Sequence, residues 1–455
     1  MAQISILDPL TRLAAIADAG SLAPYPAAGA STHVARWGIA PVADDGVVCA
    51  RLVVGKTRVL AAAQDARFLG GSVGANHGAA LHWLFDRALA ERPDAVVLLV
   101  DSGGVRLHEA NAAELALARA LRALLDVRRA GIATVAIVTG AAFGGASVLA
   151  AACAHLYFLP DTRFGLSGPG VIETARGKAE LDADNSLSVT ALFGAAARVA
   201  TGIGTLVGDD EGALRTTIAA AALQPARLDR STLAIWDAKL AARLAAAGEN
   251  PAASPAARPG MAIFAGAQAV DPLGWLWRVR DSDLHLLRPL AANALGPAEA
   301  VAIAKAIPHF LPPDAPLVIV EDSAGHATTR AAEVLGVSEY LAAHAARLAL
   351  LQMDGHVVVG LLAGCGHSAA FFVNALQTCI LDALAGARVE AMAPDAIARV
   401  TRLPVAALDA LLEGDALMGQ PVRHLAALGG IAQIHADMTP ESLVTRVAEE
   451  TRRSS

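Results

Sequence analysis

One pattern of apolar and polar positions occurs twice along the chain. Residues 95–100 form an unbroken apolar run that stops at Asp101-Ser102-Gly103-Gly104, and 317–320 form another that runs through Glu321 into Asp322-Ser323-Ala324-Gly325. Short, β-branched runs bounded by small polar turns predict buried strands. Each is followed by helically spaced apolar positions, over 109–130 and 329–352, and then by a second apolar strand, 132–139 or 356–362. Small residues then open a further helix: Gly144-Gly145-Ala146-Ser147 in one half, Cys365-Gly366-His367-Ser368 in the other. Asp101 to Gly145 and Asp322 to Gly366 both span 44 positions, so one offset of 221 places Ser102 on Ser323, Gly104 on Gly325 and Ser147 on Ser368. Downstream the offset drifts by four, pairing Pro169 with Pro394, as one added helical turn would give. Strands alternating with helices predict an α/β fold. Gly55-Lys56 is expected to turn a hairpin between Val47–Val54 and 57–62. A Pro/Ala/Ser-rich stretch, 248–260, follows a helical segment over 233–247 and reads as a linker between domains 1–247 and 261–455.

Composition tests that picture. The chain is 55% hydrophobic with a mean hydropathy of +0.47, and residues 131–160 carry no formal charge, enough to span a bilayer. About a quarter of the chain is alanine, which raises hydropathy without bulk, and Gly140, Gly144, Gly145 and His155 interrupt the run. A buried strand, turn and helix are therefore expected there, and no membrane contact. A net charge of −7, with no basic block beyond Thr451-Arg452-Arg453, argues against nucleic acid as a partner. The four cysteines contain no C-x-x-C pair, so neither a metal site nor a disulfide framework is expected. Asp8, Arg12 and Asp18 interrupt anything resembling a signal peptide, which makes the cytoplasm the expected compartment.

A strand that hands over to a helix through small residues leaves unpaired N–H groups at a positive helix terminus. Two such turns at the ends of neighbouring strands can converge on one oxygen and stabilise it as an oxyanion. Gly103 or Gly104 with Gly144 or Gly145 form one candidate hole, and Ala324 or Gly325 with Gly364 or Gly366 its counterpart. A single glycine turn is as readily a tight turn; four in duplicated register point to chemistry. Phosphate-binding readings fail, because Gly202-Ile203-Gly204 lacks the strand-turn-helix context and Ala50 stands where a P-loop ahead of Gly55-Lys56-Thr57 needs glycine. Gly366-His367-Ser368-Ala369-Ala370 competes as the nucleophile elbow of an α/β-hydrolase, with Asp409 and His424 downstream in triad order.

The first half resembles the crotonase-like carboxyltransferase superfamily in the order Phe68-Leu69-Gly70-Gly71-Ser72, Asp101-Ser102-Gly103-Gly104-Val105-Arg106-Leu107, Phe143-Gly144-Gly145-Ala146-Ser147 and Gly168-Pro169-Gly170-Val171-Ile172-Glu173. With Glu321 to Gly325 and Gly364 to Ser368, the chain is similar to the β and γ subunits of biotin-independent malonate decarboxylase joined in one polypeptide. Two features depart from biotin-dependent relatives: Leu361-Leu362-Ala363-Gly364-Cys365 replaces a basic-aromatic glycine turn, and the four-cysteine zinc module is missing. Asn76-His77-Gly78 also stands where many relatives carry charged residues. The resemblance implies a duplicated crotonase/ClpP-like ββα superhelix, two domains related by internal pseudo-symmetry, with the site where the halves face each other. It implies decarboxylation of a malonyl thioester carried on the phosphoribosyl-dephospho-CoA arm of a partner acyl carrier protein, with no tightly bound cofactor. A separate acyltransferase subunit is implied as a second partner, and a homo-oligomer is left open. His367, Ser368 and His108 are candidate proton donors to the enolate, Arg106 is a candidate for a carboxylate or phosphate, and Ser147 for substrate contact. Biotin-dependent carboxyl transfer remains an alternative. So do a hydratase or isomerase using Glu109 or Glu173, and a scaffold that holds a carrier protein without catalysis.

Overall fold

The computed structural model describes residues 3–255, 261–291 and 293–454. Of the expected linker at 248–260, residues 256–260 lie outside the described residues. The chain divides into two compact units, residues 1–232 with 328–342 and residues 233–327 with 343–455.

In the first unit the sheet runs Ala23–Pro24, Val47–Val54, Thr57–Gln64, Ala95–Ser102, Ala133–Ala142, His155–Phe158, Thr205–Leu206, with Arg163–Phe164 also paired to Ala133–Ala142. The expected hairpin closes antiparallel on Val54 and Thr57, and the strands beyond it pair parallel. Parallel strands covered on both faces need continuous apolar sequence, and residues 95–100 are buried throughout. Helix Pro9–Ile16, capped by Asp8 accepting the Thr11 N–H at 3.1 Å, presses Leu13 and Ile16 into a cluster with Leu52, Val97 and Val135. Helices Ala75–Glu91 and Ala110–Arg129 approach so closely that a Cβ on Gly78 would stand 2.8 Å from the Ala116 methyl. Close approach of this kind is what small residues permit. The uncharged run supplies strand Ala133–Ala142, helix Gly144–Ala152 and strand His155–Phe158. Among the described residues no helix is long and apolar enough to cross a membrane.

The second unit repeats the plan. Its sheet runs Ile434–His435, Ile380–Leu384, Val358–Leu362, Leu317–Glu321, His285–Leu287, Leu276–Arg278, Gln268–Ala269, again with an antiparallel pair leading into parallel strands. Val318, Val320, Val359 and Leu361 pack with Leu443 and Val447 of helix Pro440–Ser454. The helix expected over 329–352 is two, Arg330–Val334 and Val337–Met353, parted at Gly336 with φ +71°.

That break corrects the register of the repeat. Val100 pairs with Val138 and Glu321 with Leu362, so an offset of 221 before the connecting helices becomes 224 after them. The helices that follow start at Gly144 and at Ser368, with φ of +54° and +52°. Three of the four extra residues are thus absorbed in the connection, upstream of the turn, and one downstream of it. The structural counterpart of Gly144 is Ser368, that of Gly145 is Ala369, and that of Phe143 is His367; Ser147 and Gly145 do not correspond to Ser368 and Gly366. Helices Pro169–Arg176 and Pro394–Thr401 then match, each with proline in its first turn.

Candidate active site

The duplication extends to individual hydrogen bonds at the strand ends. Asp101 Oδ1 accepts the Ala141 N–H at 3.0 Å, and Asp322 Oδ1 accepts the Cys365 N–H at 3.0 Å. A Cβ on Gly140 or on Gly364 would collide with the carboxylate of Asp101 or Asp322, so each glycine makes room for its clamp. The Val73 N–H donates to Gly104 O at 2.7 Å and the Leu295 N–H to Gly325 O at 2.8 Å. Gly104 and Gly325 are both left-handed, with φ of +101° and +90°. In the first unit the two turns meet backbone on backbone: a Cβ on Gly104 would lie 3.0 Å from Phe143 O and 3.1 Å from Gly144 Cα.

The N–H groups proposed from sequence are not all open. Gly103 donates to Gly70 O at 2.8 Å, Gly144 to Leu166 O at 2.8 Å and Ala324 to Asn293 O at 3.0 Å. Gly364 donates to Glu321 O at 3.2 Å, and Gly366 lies in a short parallel pairing, Cys365–His367 with Arg388–Glu390. Gly104 and Gly325 donate long bonds to Ser102 Oγ and Ser323 Oγ, 3.2 and 3.4 Å. Gly145 stands second in helix Gly144–Ala152, where a helix supplies no acceptor, and among the described residues its N–H meets none.

Three expected substrate-facing side chains turn inward. Arg106 is fully buried, donating to Asp45 Oδ1 at 2.6 Å and Glu109 Oε1 at 3.3 Å, and to the carbonyls of Asp45 and Ser72. It does not lie on the surface, because two buried carboxylates in the same unit claim it. His108 is buried edge-on against Trp37, ring centres 5.3 Å apart, and loss of water with the nearby Arg106 charge pulls its pKa down. Ser147 donates to Gly144 O at 2.7 Å and meets Ser338 Oγ at 2.8 Å. Glu109 is engaged by Arg106, Ser31 and the Ala75 N–H, and Glu173 accepts the Ala183 N–H. Neither carboxylate stands ready as a hydratase base.

In the second unit Ser368 Oγ lies 3.1 Å from His326 Nδ1, both half-buried, and desolvation with the adjacent His367 pulls the His326 pKa to about 4. A hydroxyl thus faces an imidazole that is neutral at physiological pH. Asp409 and His424 do not complete a triad, since His424 Nε2 meets Glu413 O and Asp409 is exposed. The ring of His367 packs against Gly325, and its Nδ1 is 3.9 Å from Glu390 Oε2. With Cys365 these two residues form a group able to hold a metal ion.

Two buried carboxyls carry no assigned role from sequence: Glu333 is an isolated glutamate without a pattern, and Glu321 reads only as the end of an apolar strand. Glu333 accepts the N–H groups of Leu166 and Ser167 at 3.0 and 2.6 Å beside Arg198, and burial pushes its pKa to about 7. Glu321, also pushed to about 7 by burial, accepts from Asn374 Nδ2 at 2.6 Å, and Asn374 Oδ1 meets His344 Nε2 at 3.0 Å. The folded state holds the Glu321 proton to about pH 7, whereas an unfolded carboxyl releases it near 4.5. Its contribution to stability is therefore full below the unfolded value and lost as pH rises through the folded one. Glu321→Gln keeps the shape and stays neutral. Thermal unfolding from about pH 5 to 8 should show a smaller fall in midpoint for the variant than for the wild type; parallel curves would show that Glu321 is ionised in the fold.

Residues 9–238 match the carboxyl transferase domain family, and residues 291–450 match the malonate decarboxylase gamma subunit family. The malonyl-S-ACP:biotin-protein carboxyltransferase of Malonomonas rubra is 36% identical over 170 residues, covering 34% of this chain and 54% of that protein. The acetyl-coenzyme A carboxylase carboxyl transferase subunits beta/alpha of Salinispora tropica are 32% identical over 135 residues, 30% of this chain and 24% of theirs. The chain thus spans about half and about a quarter of these relatives' lengths. A Pseudomonas malonate decarboxylase hetero-tetramer in complex with malonate has a chain 33% identical, with 49% of this chain and 84% of that one covered at a TM-score of 0.46.

Proposed function

This chain belongs to the carboxyl transferase family, and from that premise we propose that it is a biotin-independent carboxy-lyase, splitting a malonyl thioester on an acyl carrier protein into CO2 and acetyl thioester. The gamma-subunit match of its second half supports the choice of substrate, as does the malonyl-S-ACP in the name of the Malonomonas rubra relative. On this reading, 1–247 and 261–455 correspond to two subunits joined in one chain. The carrier's phosphoribosyl-dephospho-CoA arm and a separate acyltransferase subunit complete the cycle.

The observation that carries the mechanism is the Gly145 N–H, which among the described residues meets no acceptor and lies beside the point where the Gly104 and Gly144 backbones touch. Breaking the C–C bond to the carboxylate releases CO2 and leaves the electron pair as an enolate, its charge on the thioester oxygen. A fixed N–H aimed at that oxygen binds the enolate-like transition state more tightly than the neutral thioester. Protonation of the enolate carbon, which takes up one proton, is a separate step.

The test is incubation of the purified chain with malonyl-loaded carrier or a malonyl thioester mimic, without biotin. CO2 and acetyl thioester in equal amounts are expected. No product from a folded chain that binds the carrier would overturn the reading. The same relative's name favours one second reading, carboxyl transfer to a biotin protein; turnover that requires a biotinylated acceptor would establish it instead.

A further inference from the structure

We propose that Cys365, His367 and Glu390 form a binding site for a zinc-class divalent metal ion, a proposal independent of the decarboxylase reading. Alternate residues of a strand share a face, so Cys365 and His367 present a thiol and an imidazole to the same side of the short strand Cys365–His367. The parallel neighbour Arg388–Glu390 is in register with it, and His367 stands opposite Glu390. One ligand atom from each of the three lies within 4.8 Å of the other two, with His367 Nδ1 3.9 Å from Glu390 Oε2. Ligands on a tetrahedral zinc ion at bond lengths of about 2.0–2.3 Å stand roughly 3.3–3.8 Å apart. The group is therefore within side-chain adjustment of a coordination sphere.

The backbone holding these ligands is fixed from two sides. Asp322 Oδ1 accepts the Cys365 N–H at 3.0 Å, and the ring of His367 rests on Gly325, where a Cβ would lie 3.3 Å from it. The donor set selects the ion: thiolate and imidazole suit zinc or cobalt, whereas magnesium and calcium need an all-oxygen shell. Binding releases the Cys365 proton to solvent, and the resulting thiolate and carboxylate together neutralise the divalent charge. Three protein ligands leave a fourth position open. No C-x-x-C search finds this site, because its third ligand is brought in by a neighbouring strand.

Titration of the full chain with Co(II) in a chelator-free buffer near pH 7.5 tests it. One Co(II) per chain is expected, with a thiolate-to-cobalt charge-transfer band, displacement by equimolar Zn(II) and release of one proton. Cys365→Ser should abolish the band, His367→Ala and Glu390→Gln should each weaken binding by about tenfold or more, and Cys379→Ser should leave it intact. Without any variant, Zn(II) should protect Cys365 but not Cys379 from alkylation, read by peptide mass spectrometry. A saturated wild type lacking the band, a band that survives Cys365→Ser or vanishes in Cys379→Ser, or equal alkylation of both cysteines would overturn the site.

Discussion

Gly104→Ala is expected to slow malonyl thioester decarboxylation by about a hundredfold or more, the usual cost of losing one oxyanion donor. The added methyl would meet Phe143 O at 3.0 Å and Gly144 Cα at 3.1 Å, atoms of a rigid backbone that cannot rotate away. Gly144 begins the helix whose next N–H, that of Gly145, is the proposed donor. Relief comes only by parting the two turns, which moves that N–H off the enolate oxygen. Gly325→Ala is the internal control, because Gly325 is the structural counterpart of Gly104, with φ of +90° against +101°. Alanine at either position pays a similar left-handed strain, about 1–2 kcal/mol. At 325, however, the methyl meets the His367 ring at 3.3 Å, a side chain that can yield. The difference between the variants thus separates displaced backbone from strained φ. The loss should fall in kcat rather than KM, as for an interaction made only in the transition state. A variant at 104 with near-normal kcat would remove this turn from the site, and a larger loss at 325 would place the working turn in the second unit.

The backbone plan was open to sequence reasoning because it is written in period and repetition. Apolar runs ending in Asp-Ser and small residues located the strands, and the strand order of both sheets repeats as the duplication requires. The offset beyond the connecting helices was not legible. Gly145 and Gly366 match at 221 by residue type, whereas three inserted residues around Gly336 make Gly144 and Ser368 equivalent by φ and helix position. Residue type misled there because serine in left-handed backbone leaves no composition signal. His326 was missed for a related reason: its counterpart at the original offset is Val105, so the repeat offered nothing to compare. Arg106, in a family motif, invited a ligand role. Asp45, the residue that claims it, lies far away in sequence and only the fold brings the two together.

That claim makes Arg106 a structural charge, and Arg106→Met should destabilise the first unit by about 3–5 kcal/mol, the range for breaking a buried ion pair from one side. Asp45 and Glu109 are as buried as the guanidinium between them. Asp45 Oδ2 also accepts the His77 N–H at 3.0 Å, and Glu109 Oε2 accepts the Ala75 N–H at 2.6 Å, so the cluster ties the start of helix Ala75–Glu91 to the loop after Gly104. Burial, and then the Arg106 charge, pull the His77 pKa to about 3, so His77 is neutral beside the cluster in the intact protein. Removing Arg106 leaves two carboxylates facing each other without water. At about 2–4 °C per kcal/mol for a domain of this size, the unfolding midpoint should fall by roughly 10 °C. The triple variant Asp45→Asn, Arg106→Met, Glu109→Gln separates charge from packing. It deletes the same guanidinium but leaves no unpaired charge, and should recover most of the loss, since well-packed neutral replacements of buried ion clusters are often neutral in stability. If the single variant unfolds within about 1 kcal/mol of wild type, the carboxylates are already protonated in the fold. If the triple variant stays as unstable as the single one, Arg106 acts through its hydrogen bonds to the Asp45 and Ser72 carbonyls, and the loop after Gly104 is held by those bonds rather than by charge.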